Sequence, residues 1–102
     1  MSPDGELYVS DSHNHRVQVL TPQGVYIREF GKGQLSSPQK LLFSRDKHVL
    51  VADQCNDRVA VFNQDGALVS SLPYAQHPLG LAVDKKGNLL VACFVGKCVQ
   101  IF

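Results

Sequence analysis

The sequence predicts an all-β fold. Three observations carry that expectation: the apolar runs are short and rich in Val and Leu, they are bounded by Gly, Pro, Asn and Asp, and the whole pattern returns about every forty residues. No segment asks for a helix. The composition, 44% hydrophobic and 19% charged over 102 residues, is that of an ordinary globular domain. No run approaches the roughly 18 apolar residues needed to cross a bilayer, and Met1-Ser2-Pro3-Asp4-Gly5 lacks the basic and apolar regions of a secretory signal. A cytoplasmic location with no membrane partner is therefore expected. Ten Lys and Arg against nine Asp and Glu leave a net charge of +1, which argues against a polybasic tail or an acidic solvating segment.

The repeat is read directly. Leu7-Tyr-Val-Ser-Asp-Ser-His-Asn-His-Arg-Val-Gln-Val-Leu20 returns as Val49-Leu-Val-Ala-Asp-Gln-Cys-Asn-Asp-Arg-Val-Ala-Val-Phe62, with six of fourteen positions identical. A third copy, Leu89 to Phe102, keeps the apolar skeleton but has Cys93, Gly96 and Cys98 where the others have Asp, Asn and Arg. Gly24 and Gly66 stand 42 residues apart and Pro38 and Pro78 stand 40 apart, so the entire unit repeats.

In the second unit the elements follow in order. Strand A is expected at Lys40 to Phe43, B at His48 to Ala52, C at Arg58 to Phe62 and D at Ala67 to Leu72. Between C and D, Asn63-Gln-Asp65-Gly66 forms a tight hairpin turn in which Gly66 supplies the positive φ that side chains resist. Thr21-Pro-Gln-Gly24 plays that part in the first unit. Strand B is apolar on both faces at Val49-Leu50-Val51 and at Leu89-Leu90-Val91, so each sheet must be covered on both sides. Four antiparallel strands per forty-odd residues, stacked face to face, describe a β-propeller. The fold class is thus all-β, a partial β-propeller built from four-stranded antiparallel blades. WD repeats are disfavoured by the absence of Trp, and kelch repeats have a longer period.

At Asn14-His15-Arg16-Val17, preceded by Asp11, the sequence resembles the NHL repeat, named for an Asn-His-Leu signature at this hairpin. Asn56-Asp57-Arg58-Val59, preceded by Asp53, is a second match. The third copy departs from the signature and is tied to the pattern by register and by Pro78-Leu-Gly80-Leu-Ala-Val83-Asp84. Alignment of the copies divides the chain into residues 1–37, a partial blade with strands B, C and D; 38–77, a complete blade; and 78–102, a partial blade with A, B and C. A fragment of a larger propeller is expected, with the remainder of the ring as one partner.

Asp11, Asn14 and Arg16, like Asp53, Asn56 and Arg58, have a local physical reason. The Asp ends strand B, the Arg begins strand C, and the turn folds them into reach, so that the carboxylate takes a guanidinium or loop N–H groups. Asn14 suits a turn position of left-handed geometry. These residues are expected to staple a hairpin.

Strand direction alternates, which puts the B–C turns and D–A connections on one rim, here called the top. That rim carries Arg16, Lys32, Lys40, Arg58 and Lys97 against Asp11, Asp53 and Asp57, a net of +2, and the opposite rim sums to −1, while Arg28 and Glu29 cancel on strand D. The top also holds His13, His15 and His77, and two aromatics outside the strands, Tyr74 and Phe94. Bases stack on aromatic faces while Lys or Arg tracks phosphate, so Lys40, Tyr74, Phe94 and Lys97, with His13 and His15 beside them, form a candidate surface for single-stranded RNA or a protein partner.

Three cysteines are too few and too irregular for a disulfide framework, and Cys93 with Cys98 lacks the second ligand pair of a zinc site. The two should lie close across the third hairpin. No metal and no cofactor is expected. Nothing assembles a nucleophile, a base and an oxyanion hole, and the inner strands Gln39-Lys40-Leu41-Leu42 and Leu79-Gly80-Leu81-Ala82 offer no metal ligands, so a non-catalytic interaction module leads. The resemblance implies recognition of RNA or protein targets, as in tripartite-motif proteins, whose E3 ubiquitin ligase chemistry resides in other domains. The alternatives are part of a propeller enzyme, such as an amidating lyase or a metal-dependent hydrolase, and part of an extracellular sensor propeller.

Overall fold

Ten strands form three antiparallel sheets in the computed structural model, which describes residues 5–44, 47–72, 78–83, 88–93 and 99–101. The first sheet holds β1 (Leu7–Asp11), β2 (Arg16–Leu20) and β3 (Tyr26–Phe30) in chain order. The second holds β4 (Pro38–Phe43), β5 (Val49–Asp53), β6 (Arg58–Phe62) and β7 (Leu68–Leu72), and the third β8 (Pro78–Val83), β9 (Leu89–Cys93) and β10 (Val99–Ile101). The architecture is all-β, with the propeller strands B, C, D, then A, B, C, D, then A, B, C in the expected order. Among the described residues the helical elements are two 3-10 turns, Ser12–Asn14 and Gln54–Asn56, and no helix is long and apolar enough to cross a membrane. Val25 to Phe30, where a helix capped by Gly31 would have broken the register, runs into strand β3.

Strand limits differ from the sequence reading where a polar group decides them. β4 begins at Pro38 rather than Lys40; as the first residue of a strand, proline loses no ladder bond. β5 begins one residue late because His48 closes the preceding turn, its carbonyl accepting the Ser44 N–H at 2.9 Å. It ends one residue late because Asp53 pairs in register with Arg58 as the last rung before the turn. β7 starts at Leu68, since the Ala67 carbonyl accepts the Asn63 N–H at 2.9 Å and so belongs to the hairpin.

The pleat distributes β5 between two cores. Val49 and Val51 join Val17, Val19, Phe30, Leu35, Ala60 and Phe62 in a cluster between the first and second blades. Leu50 and Ala52 face the other way, against Val59, Leu81, Leu89 and Val91, between the second and third. Period-2 alternation thus makes one strand serve both neighbours. Tyr8 packs edge-on against Phe30 and Phe43, with ring centroids 5.9 and 4.9 Å away, and Phe30 meets Phe62 at 4.9 Å. The face of the first blade that turns away from the second leaves Val9 43% and Tyr26 54% exposed.

The C–D turns are equivalent. Gly24 and Gly66 have φ of 88° and 86°, Thr21 Oγ1 accepts the Val25 N–H at 3.0 Å, and Asn63 Oδ1 accepts the Asp65 and Ala67 N–H groups at 3.0 Å. Each turn is followed by a register shift at the same place, Val19/Leu20 and Val61/Phe62.

Candidate functional site

The B–C turns build the site. Asp11 and Arg16 are register partners across the first hairpin, and Asp53 and Arg58 across the second, so each pair stands side by side on one face of its sheet. Arg16 Nε donates to Asp11 Oδ2 at 3.0 Å and Arg58 Nε to Asp53 Oδ2 at 2.8 Å. Asn14 Nδ2 reaches both oxygens of Asp11 at 3.2 and 3.1 Å, and Asn56 Nδ2 reaches Asp53 Oδ2 at 2.9 Å. The two asparagines close their 3-10 turns by these side-chain bonds. The left-handed backbone position belongs instead to the next residue, His15 at φ 55° and Asp57 at φ 51°. The expectation for Asn14 is corrected accordingly: its amide has to point back at Asp11, and the chain reverses one residue later.

The two carboxylates have different surroundings. Asp53 is completely buried, and its Oδ1 accepts the Ser36 N–H at 2.7 Å, which ties the turn to the segment that crosses from the first blade. Arg58 Nη2 and Asn56 Nδ2 both donate to the Gln34 carbonyl, at 2.6 and 3.3 Å, and the Cys55 N–H donates to the Ser36 carbonyl at 3.0 Å. At Asp11 the corresponding groups are side chains: Gln18 Nε2 donates at 2.9 Å, and the Arg16 guanidinium turns to Glu29. The hydrogen bonds of Asn14, Arg16 and Gln18 hold the Asp11 carboxyl below its ordinary value, and Glu29, then Asp11, raise the Arg16 guanidinium.

The crossing segment is gripped from the first blade as well. His15 Nδ1 accepts the Ser37 N–H at 2.9 Å, Ser12 Oγ donates to the Pro38 carbonyl at 2.6 Å, and Ser10 Oγ donates to the Gln39 carbonyl. Pro38 and Gln39 lie where the β4–β5 register shifts, so the serines meet carbonyls at an irregular stretch of the ladder. The sequence carried one signal for these contacts, the hydroxyls at Ser10 and Ser12 where the second copy has Ala52 and Gln54.

Of the rim residues, His13 is exposed on the first turn, and Lys32 and Lys40 are exposed on the crossing segment and β4. Lys40 lines a shallow recess of about 320 Å³ with Tyr8, Val9, Ser10, Gln39 and Leu41, beside the inner strands. Tyr74, His77, Phe94, Lys97 and Cys98 lie outside the described residues, as does the side chain of Cys93. The charge sorting needs two corrections. Arg28 and Glu29 do not cancel each other: Arg28 pairs with Glu6 at 3.3 Å and also donates to Tyr8 Oη and the Gln64 carbonyl, while Glu29 pairs with Arg16. Adjacent residues on a strand point to opposite faces and meet different partners. Arg16 and Arg58 are likewise committed to hairpin carboxylates, which leaves Lys32 and Lys40 as the rim cations without an ion pair among the described residues.

A second cleft, about 480 Å³, is lined by Glu6, Arg28, Gln64 and Asp65, where β3 meets the second C–D turn. Cys55 is a free, exposed thiol. No cluster of His, Cys, Asp and Glu among the described residues has the arrangement of a metal site.

These blades and turns define a segment of a β-propeller in which Asp53, Asn56 and Arg58 secure the crossing from the first blade to the second. The NHL repeat model matches residues 1–20 and 76–102, the latter containing the third copy that lacks the signature. The chain is thus similar to NHL-repeat proteins at both of its ends. It is similar to the Protein brain tumor of Drosophila melanogaster, 26% identical over 100 residues, which covers 89% of this chain and 10% of that protein. Among solved structures it resembles a streptogramin B lyase, with 16% identity and a TM-score of 0.75 over 99% of this chain and 38% of that one. It also resembles virginiamycin B lyase from Staphylococcus aureus, with 14% identity and a TM-score of 0.74 over 100% of this chain and 39% of that one. At such identities the likeness to the lyases is one of fold. The chain spans about a tenth of the curated relative and about two-fifths of these structures.

Proposed function

We propose that this chain is a non-catalytic recognition segment of an NHL-repeat propeller, presenting its top-rim turns to single-stranded RNA or to a protein. The observation that carries this reading is the engagement of the repeat's chemistry-bearing side chains with backbone. Asp53, Asn56, Arg58 and His15 all hold the crossing segment 34–37, which leaves the exposed residues of the turns for partners. Lys32 and Lys40, with Lys97, Tyr74 and Phe94, supply the cations and stacking faces that single-stranded RNA requires. The remainder of the propeller in the same parent protein covers the open face of the first blade. That parent is proposed to be a cytoplasmic protein of the tripartite-motif type, in which this segment selects the target of an E3 ubiquitin ligase.

The test is a titration of the full-length protein with unstructured RNA at several salt concentrations. RNA recognition gives a linear fall of log affinity with log salt, a shallower slope for Lys32→Ala/Lys40→Ala, and a loss of about 1 to 3 kcal/mol for Phe94→Ala with thermal stability retained. Stability lost at Phe94→Ala with unchanged RNA affinity makes Phe94 local core and assigns the rim to protein recognition.

A further inference from the structure

We propose that His15 is a pH-sensitive latch between the first and second blades, closed when its imidazole is neutral and released when it is protonated. The reading stands on one hydrogen bond whose direction is fixed by chemistry. The Ser37 backbone N–H can only donate, so His15 Nδ1, 2.9 Å away, accepts with a free lone pair and carries no proton. An imidazolium has N–H at both ring nitrogens and would point a donor at a donor.

The backbone at both ends of the bond is held in an uncommon conformation. His15 has φ 55° and Ser37 φ 53°, both in the left-handed region that residues other than glycine enter at an energetic cost. Such conformations persist where the surroundings over-determine them. Ser36 is held separately by Asp53 and Cys55, and Pro38 and Gln39 by Ser12 and Ser10. Loss of the His15 bond therefore frees the Ser37 N–H, while the Ser37 carbonyl still accepts Gln39 Nε2 at 3.2 Å and the rest of the crossing stays held.

The titratable and charged groups on the elements that meet at this point are His13, with Asp11 and Arg16 paired at the ends of the same turn, Lys32 on the crossing segment, Lys40 on β4, and Cys55 and Asp57 on the second turn, with Asp53 and Arg58 paired at its ends. His15 forms no ion pair with a carboxylate among the described residues, so the imidazolium gains no partner there that replaces Ser37. The second blade has Asp57 at the position of His15, with nearly the same backbone angles. A carboxylate cannot become a cation with an N–H at the accepting atom, which confines the latch to the hairpin of the first blade.

Hydrogen–deuterium exchange of the Ser37 amide in the full-length protein tests this, with rates referred to the unstructured chain at each pH. Protection is expected to fall about fivefold between pH 7.5 and 5.0, the loss of one ordinary hydrogen bond, while the Val51 and Val91 amides keep theirs. His15→Asn places an amide oxygen on the same Cγ, where Nδ1 stands, tolerates the positive φ, and has no charge to change. Its Ser37 protection is expected to be flat over this range, and a flat profile at either a high or a low level assigns the dependence to the imidazole. Constant protection in the native protein, the same fall in His15→Asn, or parallel losses at Val51 and Val91 would each overturn the proposal.

Discussion

Asp11 and Asp53 occupy the same place in two copies of one repeat, yet they carry different weight. Asp53 is fully buried and accepts from Ser36, Asn56 and Arg58, so Asp53→Ala leaves a backbone N–H and a guanidinium without their acceptor. A destabilisation of about 3 to 5 kcal/mol is expected, measured by denaturant unfolding. Arg58→Ala should exceed the 0 to 1 kcal/mol of an exposed pair, because the carboxylate it neutralises has no access to water. Asp11 is more open, and its effect shows best as a pH dependence. Its folded carboxyl sits below the ordinary 3.8, so its stabilisation is fully present above that value and disappears as pH falls through the lower folded one. The stability difference between the native protein and Asp11→Asn should follow that course, and a difference that persists into stronger acid would contradict it. The pairing of Asp with Arg was legible because both recur at one spacing with a turn between them. The partners Ser36, Ser37 and Gln34 were not, since a backbone N–H or carbonyl can belong to any residue and leaves no signature. Gln18 and Glu29 were missed for a related reason: the second copy has Ala60 and Ser71 in the matching rungs, so nothing repeats there.

Among elements, the C–D turns were readable because glycine at positive φ is a local requirement, while the strand limits depended on which carbonyl closed each turn. The two turns are alike in backbone and unlike in surroundings. A Cβ at Gly24 would meet nothing within 4 Å, whereas one at Gly66 would come within 2.9 Å of Phe30 Cβ on the neighbouring blade. Gly24→Ala should therefore cost only the conformational strain, about 1 kcal/mol. Gly66→Ala adds overlap in a packed core and should cost about 2 to 4 kcal/mol. Thermal unfolding of the two variants side by side measures the difference, and equal losses would mean that the Phe30 contact yields without resistance.

At the scale of the whole molecule, the blades meet through the apolar faces they share as well as through the crossings that join them. The apolar faces of β5 foretold that both sides would be covered, and the two separate clusters show how: one joins blades one and two, the other blades two and three. Which blade each buried side chain serves could not be read from apolarity alone, because Phe62 and Val59 look alike in sequence and point in opposite directions on β6. Stability in stacked repeats is close to a sum of units and nearest-neighbour interfaces, so damage at one seam should stay there. Phe62 lies fully buried against Phe30, and its truncation to Ala removes the largest fully buried side chain of the first seam, at about 3 to 5 kcal/mol. Hydrogen exchange should then show protection lost in β2, β3 and β6 while β9, held by the second cluster through Leu89 and Val91, changes little. Equal loss in β9 would mean that the three blades unfold as one unit and that coupling between seams exceeds the strength of either.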